Sequence, residues 1–303
     1  MQASHSALLY AGIEQFLAGV TGFVKAGLER GEPVLAALLG RHAGQLRERL
    51  DGRDREVSWA DITQVGANPA RIIPRMHRFL NAHPGRGVRC VQEPIWPGRT
   101  AAEQSEAIRH EALVNLAFED APVTVMCPYD VTRLAPAVIT CAGLAHPMLI
   151  RDQATQPNPG YNAAAVLPAQ CDPPLRPPPD RAAVLAYRAD LAAVREFTTA
   201  QARSAGMSPL RIADLVLAVG ELVANTLRYT GAGGVLSIWA AQGELICQVA
   251  DTGHISDPLV GRHVPDLDAD GGHGIWVVQQ ICDLVELRTG PDGTVIRLHM
   301  RQN

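Results

Sequence analysis

The sequence predicts a two-domain α/β protein, and three features carry that prediction. Short apolar runs alternate with helical patterns in the first half, a proline-dense segment follows, and a second series of helices and strands comes after the prolines. With 303 residues, 47% of them hydrophobic and 19% charged, the chain exceeds what a single core usually fills.

In the first half, residues 33–39 (PVLAALL), Val88–Gln92 and 122–127 (PVTVMC) are apolar without strict alternation. Strands covered on both faces have this character. The amphipathic stretches 12–29 and 70–82 supply covering helices, so the reading is a layered domain with a mainly parallel sheet. Between 157 and 179 lie Pro157, Pro159, Pro168, Pro173, Pro174, Pro177, Pro178 and Pro179. Such density denies the segment helix interiors and sheet ladders and predicts an extended, semi-rigid linker. The expected organisation is therefore a first domain over 1–152, a linker over 153–180 and a second domain over 181–303.

Beyond the prolines, residues 181–205 read as one helix, and Ser208-Pro209 opens another with an N-cap followed by a first-turn proline. Ile212, Leu215, Val216, Val219, Leu222, Val223 and Leu227 recur at helical spacing as its core stripe. Glu221 and Asn225 occupy another face, one helical turn apart, so both side chains reach a common ligand. An amide oxygen suits a hard cation, and a neighbouring carboxylate suits a base for an attacking hydroxyl. The glycines at 231–234 end the helix, and strands at 235–242 and 244–250 meet at Gly243. The second strand runs into Asp251-Thr-Gly253, where a carboxylate at a strand end can accept a hydrogen bond from an exocyclic amine such as that of adenine. An irregular polar stretch, 254–270, leads to Gly271-Gly-His-Gly274 and an apolar helix at 275–282. Glycines entering a helix N-terminus offer free amides and a favourable dipole to phosphate oxygens. Two last strands, 284–289 and 294–301, join at the turn Gly290-Pro-Asp-Gly293.

Composition excludes several classes. Lys25 is the only lysine and is followed by Ala26, so no Walker A loop exists and any phosphate must be held another way. A net charge of −4 without a basic run argues against a dedicated nucleic-acid surface. Six dispersed cysteines without a C-x-x-C pair read as reduced thiols buried as small apolar groups. The start, MQASHSALLYAGIEQFL, lacks the basic region of a secretory signal, and no apolar stretch has the length of a membrane span. The expected compartment is the cytoplasm.

Two tempting sites in the first half are discounted. His110-Glu111 is not the zinc motif H-E-x-x-H, because Val114 stands where the second histidine must be to share the helix face. Cys127, ending an apolar run, reads as a buried thiol. Glu93, Trp96, His110, Glu111, Cys127, Tyr129 and Asp130 fall at or just after apolar runs, where open parallel sheets collect ligands, and so become candidates for a small-molecule pocket.

The segments His5-Ser-Ala-Leu-Leu-Tyr10, Gly31-Glu-Pro-Val-Leu35, Asn68-Pro-Ala-Arg-Ile-Ile73, Glu93-Pro-Ile-Trp96 with Gly98-Arg99, His110-Glu-Ala-Leu-Val-Asn115 and Cys127-Pro-Tyr-Asp130 resemble the MEDS sensory domain of bacterial regulators. The resemblance implies a RecA-like α/β fold stripped of its ATP machinery and a small-molecule signal. The second half resembles the GHKL ATP-binding fold shared by gyrase, histidine kinases and anti-sigma kinases. Glu221-Leu-Val-Ala-Asn225 with Arg228-Tyr229-Thr230 matches the N-box, Asp251-Thr-Gly253 and Gly272-His-Gly274-Ile275 the two glycine boxes, and Gly293-Thr294 the last element.

That resemblance implies a two-layer α/β sandwich binding ATP and Mg2+. Asn225 would ligate the magnesium, Asp251 would bind the adenine amine, Gly253, Gly272 and Gly274 would shape the lid and phosphate site, Thr294 would hydrogen-bond near the adenine, and Arg228 would contact the nucleotide. Thr226 departs from the usual alanine, a change expected to be tolerated. Arg262 and His263 in the loop read as solvated charges rather than phosphate contacts. A compact domain, a glutamate opening the N-box and a short loop resemble the anti-sigma factor branch, in which Glu221 would be the general base for a seryl or threonyl hydroxyl. The implied partners are a STAS-type anti-sigma antagonist and a sigma factor, with no direct nucleic acid and no membrane, and a homodimer is the implied assembly. The alternatives are a non-catalytic ATP-binding module that sequesters a partner and a sensor histidine kinase. The proline-rich segment stands where the latter needs a dimerisation hairpin.

Overall fold

The structure, a computed structural model, describes residues 3–151, 154–162, 174–265 and 273–302. The chain divides into two compact units between Pro173 and Pro174.

The first unit is built on a seven-stranded sheet in the order β3-β2-β4-β5-β1-β6-β7, formed by β1 (Ser4–Tyr10), β2 (Val34–Leu38), β3 (Val57–Asp61), β4 (Val88–Gln92), β5 (Val123–Asp130), β6 (Met148–Arg151) and β7 (Ala154–Pro157). All its pairings are parallel except β6 with β7, which makes it the expected mainly parallel sheet. The continuous burial of β2 and β4 follows from cover on both faces. On one face α1 (Ile13–Glu29) and α2 (Gly40–Glu48) bring Phe16, Leu17, Val20, Val24 and Leu46 against Leu8, Tyr10, Val34, Val91 and Met126. After these come α3 (Ile62–Val65), α4 (Ile72–Asn81), α5 (Ala101–Ala117) and α6 (Pro136–Ala145). Thr100 and Glu103 close a reciprocal capping box that starts α5, and the helix is buried nearly all round from Glu106 to Val114. Pro157 ends the exposed edge strand β7, a position where its missing N–H costs no ladder bond. Of the expected linker, residues 153 and 163–173 lie outside the described residues, and 174–179 carry no helix or strand.

The second unit is a five-stranded antiparallel sheet in the order β11-β12-β10-β9-β8, with helices packed on one face. Residues 181–205 are not one helix: β8 (Ala183–Tyr187) pairs with β9 (Gly234–Ala241), and the helix α7 is confined to Leu191–Ser204, capped by Asp190. Alternating exposure in β8 marks an edge strand, and the alanine-rich context disguised that period of two. The helix α8 (Pro209–Thr230) starts at Ser208, whose hydroxyl accepts from Arg211 N, and stops at Gly231, whose φ of 64° is the left-handed conformation of a C-terminal glycine. β10 (Glu244–Asp251), α9 (His273–Ile281), β11 (Leu284–Gly290) and β12 (Gly293–Arg301) complete the unit. Leu215, Val219, Leu222 and Val223 of α8 pack with Leu236, Ile238, Cys247, Val249, Leu298 and Met300 of the sheet. The opposite sheet face carries Gln248, Glu286, Arg297 and His299. One apolar and one polar face define a two-layer sandwich of GHKL type.

Cys90, Cys127, Cys247 and Cys282 are buried thiols outside any disulfide. Cys141 is disulfide-bonded, against the expectation of reduced thiols throughout.

Candidate functional site

The register of the second sheet places Asp251, the last residue of β10, opposite Thr294, the second of β12. The C-terminal half of α8 runs past the same end of the sheet, and the three elements border a cavity of about 470 Å³. Asn225, Asp251, Gly253, Gly274 and Thr294 line it together with Thr226, Tyr229, Thr230, His254, Ile255 and Asp257.

Asp251 is held by both oxygens. Oδ1 accepts from Gly253 N at 2.8 Å, and Oδ2 accepts from the Thr226 hydroxyl at 2.5 Å. Tyr187 of β8 donates its hydroxyl to Thr226 Oγ at 3.1 Å, and burial pushes that phenol up, keeping it protonated as a donor. Tyr187, Thr226 and Asp251 thus form a chain of hydrogen bonds across β8, α8 and β10 that fixes the carboxylate for an outside donor. The Thr294 hydroxyl donates to Gly253 O at 2.8 Å and meets Thr289 Oγ at 2.9 Å, while Thr289 Oγ also accepts from Ile255 N at 3.0 Å. The loop after the first glycine box is therefore tied to β11 and β12.

Two glycines are required by close approach. A Cβ at Gly293, whose φ is 122°, would stand 2.1 Å from Asp251 O. A Cβ at Gly274 would stand 2.7 Å from Glu221 Oε2 and 3.2 Å from Asn225 Nδ2, so the glycine lets the start of α9 sit over these side chains where they stand.

Of the residues singled out by sequence, Asn225, Asp251, Gly253, Gly274 and Thr294 come together. Glu221 meets them at Gly274, while the rest of its side chain borders an adjoining groove beside Leu191, Val194 and Gly220. Arg228 does not border the cavity; it is exposed, with its guanidinium 5.6 Å from the Tyr229 ring centroid. Gly272 lies outside the described residues. Arg262 is buried rather than solvated, 3% exposed, and His263 is exposed; neither borders the cavity. The sequence marks Thr226 only as a tolerated departure and gives no role to it, to Tyr187 or to Thr289. The first had a local signal, a hydroxyl directly after Asn225, and the other two had none.

The candidates in the first unit separate. Glu93 accepts from His42 Nδ1 and Leu39 N, Trp96 stacks under Arg99, and Asp130 accepts from Thr132. His110 and Gln92 meet at 3.2 Å. Glu111 and Cys127 meet two histidines that are not among the pocket candidates of the sequence, His5 and His146, with the Tyr129 ring against His146. This group lies on the sheet face under α5 rather than beyond the strand ends.

Comparison with known proteins agrees with this division. Residues 4–147 match the family MEDS: MEthanogen/methylotroph, DcmR Sensory domain, and residues 184–300 match the family Histidine kinase-like ATPase domain. Among curated proteins none matches the chain. Among solved structures, "The crystal structure of the RsbU and RsbW domains of Rv1364c from Mycobacterium tuberculosis" is similar at 17% identity with a TM-score of 0.32, over 68% of this chain and 49% of that one. The chain thus spans about half the length of that solved protein.

Proposed function

We propose, from the premise that residues 4–147 are a MEDS domain and residues 184–300 a histidine kinase-like ATPase domain, that the chain is an ATP-dependent protein kinase of the anti-sigma type governed by its sensory half. It acts in the cytoplasm on a serine or threonine of an antagonist protein. The observation that carries the reading is the convergence of Asn225, Asp251, Gly253, Gly274 and Thr294 on one cavity with the Glu221 carboxylate at its edge.

In this reading the adenine amine donates to Asp251, whose oxygens keep free lone pairs beside the bonds from Gly253 N and Thr226. The phosphates run toward the start of α9, where first-turn amide groups and the helix dipole favour negative charge without a lysine. The Asn225 carboxamide, an oxygen donor beside the cradle that a Cβ at 274 would fill, suits a hard cation; it would hold Mg2+, which would supply neutralisation of phosphate charge. Glu221 accepts the proton of the attacking hydroxyl, whose oxygen forms the new bond to phosphorus as the bond to the β-phosphate oxygen breaks. The compact domain and the glutamate that opens the N-box favour this branch over a histidine kinase.

The test is incubation of the full chain with Mg2+ and γ-labelled ATP, with and without candidate STAS-type antagonists. Acid-stable label on the antagonist, lost in Glu221→Gln while ATP affinity stays within about threefold, is the expected result. ATP binding without transfer to any antagonist would favour a sequestering module, and acid-labile label on the chain itself a histidine kinase.

A further inference from the structure

We infer that the N-terminal unit holds one divalent transition-metal ion of the zinc class, bound by His5, Glu111, Cys127 and His146. The four come from β1, α5, β5 and the residue that follows α6, and each is at most 4% exposed. Their ligating atoms all lie within 4.8 Å of one another. His5 Nε2 is 3.1 Å from Glu111 Oε2 and 3.4 Å from Cys127 Sγ, and His146 Nε2 is 3.0 Å from the same Glu111 oxygen. A tetrahedral zinc ion with bonds of about 2.0–2.3 Å has ligand-to-ligand edges of roughly 3.3–3.7 Å. Three edges of the group are already near that size.

The hydrogen bonds behind the imidazoles point the same way. Asn115 donates through Nδ2 to Ala145 O at 2.7 Å, which turns its Oδ1 to His5 Nδ1 at 3.1 Å. His146 Nδ1 faces Ala142 O at 2.7 Å. Both partners are pure acceptors, so both Nδ1 atoms carry hydrogen, and in the neutral rings both Nε2 atoms present lone pairs. Two lone pairs then converge on a carboxylate oxygen, an arrangement that a bound metal cation satisfies. His146 Nε2 and Glu111 Oε1 have no hydrogen-bond partner among the described residues. Histidines fixed through Nδ1 to a carbonyl or amide oxygen, with Nε2 aimed inward, have the support typical of metal ligands.

Charge and chemistry select the ion. Glu111 and a Cys127 thiolate carry two negative charges, which a divalent ion cancels, so the buried group is neutral as a whole. Burial pushes the bare Cys127 thiol well up, and a bound metal replaces its proton. Gln92 Nε2 lies 3.7 Å from the sulfur as a donor that stabilises a thiolate. Two imidazoles and a sulfur exclude magnesium and calcium, which take oxygen ligands, and favour zinc or its neighbours. A cavity of about 410 Å³ lined by Ser4, His5, Ala112, Asn115 and Pro147 reaches the His5 edge and offers a path of entry.

The test uses the full chain, freed of metal and titrated with Co2+ as a spectroscopic probe and then with Zn2+. One Co2+ per chain, with a thiolate-to-cobalt charge-transfer band and the strong visible bands of four-coordinate cobalt, both removed by Zn2+, is the expected result. Cys127→Ser should remove the charge-transfer band, and His146→Ala should weaken uptake at least tenfold. Cys282→Ser, in the other unit, should change neither. The inference is overturned if the folded wild-type chain takes up no stoichiometric Co2+ or Zn2+, or if uptake survives both Cys127→Ser and His146→Ala. Should either variant fail to fold, X-ray absorption of the wild-type zinc form decides: one sulfur and two imidazoles in the coordination shell support the site, and a shell without sulfur sinks it.

Discussion

The hydroxyl of Thr226 donates to the carboxylate of Asp251 across 2.5 Å, and Thr226 in turn accepts from Tyr187. The threonine that breaks the usual N-box pattern therefore holds Asp251 in place, and under the proposed function it supports the adenine contact. Thr226→Val keeps the shape and removes the donor, leaving the Tyr187 hydroxyl and Asp251 Oδ2 without their partner. ATP affinity measured by calorimetry should fall about tenfold, the value of one such bond to a charged group, whereas Thr226→Ser should stay near wild type. Unchanged affinity in the valine variant would remove Thr226 from the site.

Much of the second unit was legible because its signals are local. Ser208-Pro209 marks the start of α8, Gly231 its end, and Gly290 to Gly293 the last turn, each through a conformational preference of one or two residues. Asn225, Asp251, Gly274 and Thr294 were singled out by short motifs, and those motifs converge on one cavity because they sit on elements that meet at one end of the sheet. Tyr187 was hidden twice, since β8 was read as helix and its partner Thr226 lies 39 residues away. His5, Glu111, Cys127 and His146 show the stronger limit. Val114 denies Glu111 a second ligand on its own helix, while the histidines arrive from β1, paired with the strand of Cys127, and from the end of α6. Spacing along one element reveals a site built on that element; a site assembled by neighbouring strands leaves no period in the sequence.

Under the proposed function, a substitution at Gly274 separates binding from transfer. Its missing Cβ would fall 2.7 Å from Glu221 Oε2, the far end of a flexible side chain, so Gly274→Ala should shift that carboxylate without unfolding the chain. Phosphotransfer should drop at least tenfold, as misplacement of a reacting group does, while the melting temperature stays within about 3 °C. A variant that melts much earlier would assign the glycine to folding instead of catalysis.

Phe16 tests whether the two units fold independently. Its ring is fully buried, 5.2 Å from the Tyr10 ring and 4.4 Å from that of His42, in the core between α1 and the parallel sheet. Phe16→Ala should cost about 3–5 kcal/mol in that unit. Scanning calorimetry should show one transition moved down and the other unmoved, with nucleotide affinity retained. A single transition shifted as a whole would make the chain one cooperative unit.

His299 gives the second unit a pH dependence whose sign follows from its surroundings. On the polar face of the sheet its ring meets Glu286 Oε2 at 2.9 Å and Glu244 Oε2 at 3.1 Å. Burial works against the charged ring, but the two carboxylates outweigh it and raise the pKa to about 9. Arg297, 3.9 Å from Glu286, and Arg301, 3.8 Å from Glu244, also face this cluster and temper the effect. In the unfolded chain the ring titrates near 6.5, so the folded state binds the proton more tightly. The stabilisation is fully present below about pH 6.5, shrinks as pH rises, and is gone above the folded value; its size is on the order of 3 kcal/mol. The urea midpoint of the second unit should therefore fall between pH 6 and pH 10, and His299→Gln should be less stable at pH 6 and lose most of that slope. An equal slope in the glutamine variant would place the titrating group elsewhere.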